Sequence, residues 1–558
     1  MTGVQTCALP IYLNERNPPT ERGFDEFFGM LGGYNSCWQE EPFYTRWPQG
    51  RVKRAVAPGK FYSTDVFADY AIEFIGDGKS GQPWFQYLAF NAPHFPLHAP
   101  ETDIAKYEAM YFAKGWDRIR EERLARQKEL GVIPREAVLT PRANVPANRF
   151  NKETGWADKD NPAWDSVPEN RRRDLARRMA VYAAMVDRLD AAVGRVVAHL
   201  KATAQFENTV IFFLSDHGAC AEWDPWGFDK SSSATNVLHT GDDLKTVGGP
   251  ESYISYGSGW ANVCNTPFKL YKHYSHEGGV RTPFIVHWPA GLKARGLVPG
   301  LGYITDFMPT ICELTGATYP TERNGAAILP QEGMSLVPAL RGEPLATRRI
   351  FIEHEGNRSV RDGEWKLVAI EGKPWELYRI GSDPTEMHDL AAQELARVKE
   401  LAAAWEDWAE RCDVKERRVA KTDTPQIANK PLNISCDVET RATDGVILAH
   451  GGRQNGYALW LKGGKPIFTV RIAGKATDAT ANETLSGKFK LTARLATDGA
   501  MTLSLNAHEA ATARAPGVIS TEPKDGLSIG EDTLTAVGDY AAPHPLKGSV
   551  TNVQITTE

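Results

Sequence analysis

The sequence predicts an α/β domain followed by a separate all-β sandwich. Three features of the chain support this prediction: a long apolar stripe of helical period, short continuous apolar runs that alternate with helical segments, and the loss of helical signals after about Val419. A chain of 558 residues is also too long for one ordinary hydrophobic core, which favours two or three domains.

The strongest helical signal lies in residues 182–200. Apolar side chains recur there at positions i, i+3, i+4 and i+7, which predicts a long amphipathic helix whose stripe packs on a core. Residues 104–130 carry dense charge at helical spacing and are expected to form a solvated pair of helices rather than a functional site.

Three apolar runs predict strands of the α/β sheet. Residues 209–215 form a continuous apolar run, which predicts a central parallel strand buried on both faces. Residues 284–288 predict another strand, and residues 83–90 predict a buried strand that ends near Phe90.

The C-terminal part of the chain predicts a β-sandwich over residues 431–558, after a polar linker at residues 422–430. Residues 457–461 and 466–470 alternate as strands do, and the Lys-Gly-Gly-Lys sequence between them predicts a hairpin. The pattern at residues 444–461 resembles laminin-G or concanavalin-like sandwiches.

Alternation along the predicted hairpin separates four side chains. Tyr457, Leu459 and Leu461 share one face, where they are expected to pack the core, and Trp460 lies on the other face. Two roles for Trp460 stay open. It either covers an edge or a neighbouring domain, or it lies exposed and stacks on a sugar ring.

Composition excludes several classes of protein. The net charge of -6 is mild and indicates neither nucleic-acid nor membrane-surface binding. No apolar run approaches the ~18 residues of a transmembrane helix. The seven cysteines are scattered without any C-x-x-C pair, which argues against a zinc ribbon and against a dense disulfide framework.

Candidate functional residues follow the predicted strands, because chemistry in open α/β sheets collects at the carboxyl ends of strands. Asp216 and His217 come directly after the strand at residues 209–215, and His94 comes just after the strand at residues 83–90. Lys272 precedes a turn with two glycines that leads into the strand at residues 284–288.

Several segments of the chain, taken together, resemble the sulfatases of the alkaline phosphatase superfamily over residues 22–390. Their order and spacing are more specific than any one of them. The segments are Arg22-Gly23-Phe24-Asp25-Glu26-Phe27-Phe28-Gly29, Ala92-Pro93-His94-Phe95-Pro96-Leu97, Ser215-Asp216-His217-Gly218, Lys272 five residues before Glu277-Gly278-Gly279, Glu376-Leu377-Tyr378, and Asp383-Pro384-Thr385-Glu386.

The resemblance implies an alkaline-phosphatase-like sheet with helices on both faces, and a catalytic domain over residues 12–420 that includes a small C-terminal subdomain. It also implies hydrolysis of sulfate esters by a formylglycine nucleophile, made from a cysteine in C-x-P-S-R, with Ca²⁺ as cofactor. Asp216 and His217 would be metal ligands, and His94 and Lys272 would bind the sulfate and the leaving-group oxygen. A sulfated small molecule or a sulfated glycan would be the substrate, and the location would be periplasmic or extracellular.

The chain departs from the family at its start. None of the seven cysteines stands in the C-x-P-S-R pattern, and the family's Asp-Asp metal pair and Lys-Trp-His segment are not found. Residues 1–11 (MTGVQTCALPI) resemble the translation of a sequencing-adapter oligonucleotide and are left out of the predicted fold. We expect the gene to encode a longer protein with a signal peptide, and the given chain to be inactive.

Two alternative functions remain open from the sequence. A phosphodiesterase or phosphonate hydrolase of the same superfamily would use a similar scaffold. A non-catalytic glycan-binding protein would keep the scaffold and use the C-terminal sandwich. The missing nucleophile segment would have separated these possibilities.

Overall fold

The structure, a computed structural model, has two compact units, Met1–Lys415 and Glu416–Glu558. It describes residues 2–3, 19–31, 34–143, 145–147, 149–230, 235–293, 296–298, 300–323, 325–412, 414, 425–452, 454–523, 526–532, 536–540 and 544–557. Most of the segment at residues 1–11 and part of the predicted linker at residues 422–430 lie outside the described residues.

The first unit combines helices with small sheets. The helices described are α1 (Ser63–Ile75), α2 (Glu101–Ile104), α3 (Glu108–Glu129), α4 (Arg149–Thr154), α5 (Glu169–Ala202), α6 (Gly241–Leu244), α7 (Gly257–Cys264), α8 (Glu277–Val280), α9 (Phe307–Thr315), α10 (Val337–Leu340) and α11 (Leu395–Arg411). Short 3₁₀ turns lie at Pro19–Arg22, Trp164–Ser166, Phe206–Asn208 and Ile304–Asp306.

The strands of the first unit form four small sheets among the described residues. They are β1 (Thr2–Gly3), β2 (Glu26–Gly29), β3 (Thr45–Trp47), β4 (Ile211–Leu214), β5 (Phe284–His287), β6 (Glu322–Arg323), β7 (Ala326–Ala327), β8 (Arg349–His354), β9 (Asn357–Asp362), β10 (Trp365–Ala369) and β11 (Glu376–Arg379). The sheet orders are β1-β2-β3, β4-β5, β6-β7 and β11-β10-β9-β8.

Helix α5 is the long amphipathic helix that the sequence predicts, and it starts earlier than the periodic stretch. Met179, Met185 and Leu200 are buried along it, and the first two belong to the main core of the unit. The charged stretch before it is also helical. There α3 is interrupted at Gly115, which has φ 65°, so that a helix pair forms as predicted.

The strand at residues 209–215 is not a buried parallel strand, and this prediction is wrong. β4 pairs antiparallel with β5 alone among the described residues, and Phe213 and Leu214 are 40% and 37% exposed. The predicted strand at residues 83–90 is also wrong, because that stretch is half-buried extended chain with a single bridge residue at Leu88. An apolar run favours burial and strand formation. Both, however, depend on neighbouring segments, which supply the covering side chains and the hydrogen-bonding partners. The prediction of β5 is confirmed.

A buried ion-pair network fixes α8 to the four-stranded sheet. Lys366 on β10 is 2% exposed, and its Nζ lies 2.8 Å from Oε1 of Glu277 and 2.9 Å from Oε1 of Glu386. Oε2 of Glu386 accepts a hydrogen bond from the backbone N–H of Glu277 at 2.8 Å. Burial alone would raise the pKa of Glu277, but the Lys366 ammonium holds it below its usual value.

The second unit consists of two antiparallel five-stranded sheets that enclose one core, in agreement with the predicted all-β region. Their orders are β19-β18-β17-β12-β21 and β16-β15-β14-β13-β20. The strands are β12 (Leu432–Thr440), β13 (Gly445–Gly451), β14 (Gly456–Lys462), β15 (Lys465–Ile472), β16 (Lys475–Thr480), β17 (Gly487–Leu495), β18 (Ala500–Leu505), β19 (His508–Arg514), β20 (Leu527–Ile529) and β21 (Gly548–Thr556).

The hairpin predicted in this unit is confirmed. β14 and β15 pair in antiparallel register, with Lys462 opposite Lys465. The two residues of the turn, Gly463 and Gly464, have φ values of 59° and 78°, which L-residues with a side chain adopt only with strain. The Lys-Gly-Gly-Lys sequence therefore fixes the register of the strands that follow.

Trp460 is buried, which corrects the hypothesis that it stacks on a sugar. Tyr457, Leu459 and Leu461 point into the core between the sheets, as predicted. Trp460 is 2% exposed in a smaller cluster on the other face, where its Nε1–H donates to Oγ1 of Thr469 at 2.9 Å. The period of two places this side chain on the outer face, where Val537 and Tyr540 from a later part of the chain cover it.

The helices were compared with the requirements for spanning a membrane. None of them, within the residues that the structure describes, combines the length and the apolar character that a bilayer span needs.

Replacing Lys366 with methionine should strongly destabilise the first unit. The K366M variant leaves the carboxylates of Glu277 and Glu386 buried without their cation, and breaking a buried pair in this way costs about 3–5 kcal/mol. Urea unfolding of the full chain, followed by tryptophan fluorescence, measures this loss. All tryptophans except Trp460 belong to the first unit, so the signal reports mainly on it.

The matched control is K245M. The side chain of Lys245 is 76% exposed and pairs with Asp242 at the surface. Its removal should therefore lower the free energy of unfolding by only about 0–1 kcal/mol. Equal losses of unfolding free energy in the two variants would contradict a structural role for the buried network.

Candidate active site

Two of the three segments singled out in the sequence are joined by backbone hydrogen bonds. The N–H of Gly218 donates to the carbonyl of Gly279 at 2.9 Å, and the N–H of Lys272 donates to the carbonyl of Ala219 at 2.9 Å. The segment that follows β4 thus lies against the turn between Lys272 and α8. Asp216, His217 and Lys272 are brought together by these bonds.

The contact between these segments requires glycine. A Cβ on Gly218 would lie 1.8 Å from the carbonyl oxygen of Gly278, far inside any real contact distance. A Cβ on Gly278 would lie 2.2 Å from the carbonyl oxygen of Leu270. The two backbones approach each other only because no side chain stands between them.

Asn265 braces the same contact from behind. It follows α7 and is buried, with its Oδ1 accepting the N–H of Ala219 at 2.8 Å and its Nδ2 donating to the carbonyl of Leu270 at 2.9 Å. The sequence analysis did not identify Asn265. No spacing or motif marks it, because both of its partners are backbone groups.

Asp216 and His217 present two donor atoms to one point. Nδ1–H of His217 donates to the carbonyl of Gly218 at 2.7 Å, so the neutral ring carries its lone pair on Nε2. That Nε2 lies 3.5 Å from Oδ2 of Asp216, and both side chains are part-exposed, at 34% and 49%. One cation can therefore contact both atoms.

His94 lies in the same neighbourhood in a defined orientation. Its ring stacks on Tyr34 with centroids 5.1 Å apart, and its Nδ1–H donates to the carbonyl of Phe95 at 2.7 Å. Burial and the Lys272 ammonium lower the pKa of His94 to about 4, so the ring is neutral at neutral pH. In this state Nε2 carries a lone pair, and His94 can donate a proton from Nε2 only after the ring has gained a second proton.

The four predicted site residues lie close enough for their charges to influence one another. The charges of Lys272, His217 and Asp216 all act on His94. Burial also lowers the pKa of His217, while Asp216 opposes the shift and Lys272 adds to it. The group combines an ammonium and a neutral imidazole with a carboxylate–imidazole pair, which suits an anion bound together with a cation.

Glu376 and Glu386, from the two C-terminal segments, contact residues on either side of the turn between Lys272 and α8. Oε2 of Glu376 lies 3.2 Å from Nε2 of His276 and 3.0 Å from Nζ of Lys269. Burial would raise the pKa of Glu376, but the hydrogen bond with His276 and the surrounding charges hold it well below its usual range. With Glu386, these contacts fix the chain on both sides of Lys272.

The pair of Asp216 and His217 fits a Ca²⁺ ion only in part. Calcium takes about 6–8 oxygen ligands. Asp216 offers at most two oxygens and His217 one nitrogen, so other donors must complete such a shell. The described residues thus provide one side of a calcium site and not the whole.

Comparison with known proteins identifies two matching family models and several relatives of the chain. A sulfatase family model matches residues 2–317, and a model of the N-sulphoglucosamine sulphohydrolase C-terminal region matches residues 268–408. An uncharacterized sulfatase of Schizosaccharomyces pombe is 30% identical over 411 residues, which are 69% of this chain and 70% of the relative. An arylsulfatase of Klebsiella aerogenes is 31% identical over 327 residues, which are 57% of this chain and 66% of the relative.

The chain spans about two thirds of the length of these two relatives. Among solved structures, that of Ps i-CgsB in complex with k-i-k-neocarrahexaose gives a TM-score of 0.44 at 22% identity, covering 73% of this chain and 71% of that chain.

Replacing Gly218 with alanine should loosen the site. The new Cβ meets the backbone of Gly278, which cannot rotate away as a side chain would, so the two segments must separate. We expect a loss of about 1–3 kcal/mol of unfolding free energy. Urea unfolding of the full chain measures it.

G194A is the control for the same chemical change. Gly194 lies inside α5, and a Cβ there has open space within 4 Å, so alanine should stabilise the helix by about 0.5–1 kcal/mol. A neutral or stabilising effect of G218A would show that the close approach of the two backbones is not a constraint.

Proposed function

The chain belongs to the sulfatase family, and from this premise we propose that the cluster around Lys272 and His94 is the sulfate-binding part of an active site for sulfate-ester hydrolysis. The observation that carries the proposal is the backbone contact that places Asp216 and His217 beside Lys272, with His94 near enough for the charges of all three to lower or raise its pKa. Asp216, His217 and Lys272 lie on two segments that backbone hydrogen bonds hold together.

The charges of the cluster suit a sulfate monoester. In the transition state of such an ester, negative charge spreads over the sulfate oxygens and the leaving-group oxygen, and fixed positive charge stabilises it. The Lys272 ammonium supplies that charge and donates hydrogen bonds to the bound oxygens. The bound anion also favours a second proton on His94, and Nε2 then donates it to the leaving-group oxygen.

Asp216 and His217 would hold one side of a Ca²⁺ ion, through Oδ2 and Nε2. When bound, the ion supplies positive charge to the sulfate oxygens. The chain's own residues orient the anion between this side and Lys272. No further step is assigned to the ion, because the described residues complete only part of its shell.

The nucleophile of the family is not supplied by these 558 residues. None of the seven cysteines stands in the C-x-P-S-R pattern that formylglycine formation uses in the family. We therefore propose that this chain binds sulfate esters without hydrolysing them, and that turnover requires a cysteine in that pattern from outside these 558 residues.

The proposed substrate is a sulfate ester of a small alcohol or phenol. The Klebsiella aerogenes relative, which is 31% identical over 327 residues, carries the name arylsulfatase. A sulfated glycan remains a second substrate of the same reaction. Trp460 gives no support to the glycan as substrate, because its side chain is buried and cannot stack on a sugar.

Calorimetric titration with 4-nitrophenyl sulfate tests the proposal on the full chain. We expect binding by the wild type and at least about tenfold weaker binding by K272M, which corresponds to about 1.4 kcal/mol. Release of nitrophenol, measured in the same samples, should not exceed the background.

Two further samples make the test specific. K245M removes a lysine from the surface and should bind as the wild type does. Bis(4-nitrophenyl) phosphate should bind more weakly than the sulfate ester, since the alternative phosphodiesterase function predicts the reverse order. Equal binding of the sulfate ester by wild type and K272M, with unchanged circular dichroism, would refute the proposed site.

A further inference from the structure

A second group of ligating side chains lies beside the proposed sulfate site. Cys220, Glu222 and His273 each offer a ligand atom, and these three atoms lie within 4.8 Å of one another. Cys220 and Glu222 follow His217 by a few residues, and His273 follows Lys272 directly. The group thus joins the same two segments that form the sulfate site, and the proposed reaction does not use it.

His273 is the centre of this group. Its Nδ1 lies 2.8 Å from Oε2 of Glu355, in an ion-pair contact whose angle is outside that of a hydrogen bond. Its Nε2 is buried and has no hydrogen-bond partner among the residues that the structure describes. Trp223 and His354 both stack on the ring, with centroids 5.7 Å away and planes 27° and 22° from parallel, which fixes the plane of the imidazole.

The surroundings of His273 share two features with those of a metal-binding histidine. Such a residue binds the ion through one ring nitrogen and has a carboxylate at the other. Glu355, in the turn between β8 and β9, lies beside Nδ1 as an ion-pair partner, and the stacked rings of Trp223 and His354 fix the plane of the imidazole. The unpartnered Nε2 is the atom left for the ion.

Cys220 and Glu222 complete a ligand set for a soft or borderline cation. The Cys220 thiol donates to Oε1 of Glu222 at 2.9 Å, and Glu222 is 4% exposed. Thiolate and imidazole select zinc-class ions, whereas Ca²⁺ takes oxygen ligands. This group therefore differs in chemistry from the Asp216–His217 pair.

We propose that Cys220, Glu222 and His273 bind a zinc-class divalent ion, with a solvent molecule as the fourth ligand. The ion displaces the proton of the Cys220 thiol, which leaves to solvent as one H⁺, and a metal–sulfur bond forms. The two positive charges of the ion then balance the thiolate and the carboxylate, so that the buried site is neutral. The balance is favourable because an isolated charge is expensive to bury.

The consequence of this site is a cross-link between the segments that carry the proposed sulfate ligands. One bound ion would tie residues 220–222 to His273, and through Glu355 to the four-stranded sheet. Ions that bind only the folded chain also raise its stability by mass action. Binding of a zinc-class ion should therefore raise the melting temperature of the first unit.

Cobalt titration of the metal-stripped full chain tests the proposal. Co²⁺ reports its own ligands, because a bond to thiolate gives a charge-transfer band in the near ultraviolet. We expect that band at one equivalent, the release of one proton per ion measured with a pH indicator, and displacement of Co²⁺ by Zn²⁺ but not by an excess of Ca²⁺. None of these readouts depends on sulfatase activity, so the proposed function and this site fail separately.

Variants of Cys220, His273 and Glu355 test whether these side chains determine the band and the affinity for Co²⁺. C220S should abolish it, and H273Q should weaken Co²⁺ binding at least about 100-fold. E355Q should weaken binding by about 10–100-fold, the effect of removing a carboxylate that orients a ligand histidine. C412S is the matched control, because it removes an exposed thiol far along the chain and should leave the band unchanged.

Three outcomes would overturn the proposal. They are no thiolate band in the wild type, an equal band in C220S, and a band that C412S abolishes. Circular dichroism of each metal-free variant shows that it is folded. H273Q retains a polar side chain of similar reach, so it addresses the same question if C220S does not fold.

Discussion

The close approach of the backbones at Gly218 and Gly278 is the constraint on which the proposed site depends. It allows the segment after β4 to hydrogen-bond the turn that carries Lys272, and thereby brings the Asp216 carboxylate and the His217 imidazole beside the segment of the Lys272 ammonium. Because the contact is between main chains, the relative position of the backbones at Asp216 and Lys272 does not depend on side-chain rotamers. Such positioning suits a site that must hold a small anion.

The acidic residues that resemble family motifs divide into two roles. Asp216 is exposed and free to meet a ligand, whereas Glu277, Glu376 and Glu386 pair with buried or half-buried partners. Glu277 and Glu386 share the Lys366 ammonium, and Glu376 contacts His276 and Lys269. Glu376 and Glu386, in the motifs at residues 376–386, thus stabilise the chain around the turn that carries Lys272.

The neighbourhood of Lys272 offers two kinds of donor side by side. The Asp216–His217 pair lies on one part of the segment after β4, and Cys220 and Glu222 lie a few residues further along. Hard oxygen donors and a soft sulfur donor favour different ions, so the two positions need not compete for the same metal. Both depend on the same backbone contact, since each uses residues from the segment that Gly218 places.

The sequence by itself determined the features that local pattern controls. Helix α5, the break-containing α3, β5, the hairpin of β14 and β15, and the alternation around Trp460 follow from the period of apolar residues and from the glycines of one turn. The four candidate site residues were also predicted from the sequence, because they follow predicted strands or lie in ordered segments that resemble a family. The tertiary structure brings these four together, although their roles stay proposals.

Only the tertiary structure decided which segments meet. It gave β4 an antiparallel neighbour, left residues 83–90 without strand pairing beyond Leu88, and covered Trp460 with residues from another part of the chain. It also revealed Asn265 and the group around His273, whose partners are distant in sequence or belong to the backbone. The physical reason is the same in each case: burial and hydrogen bonding depend on groups that other segments supply, and a local pattern carries no record of them.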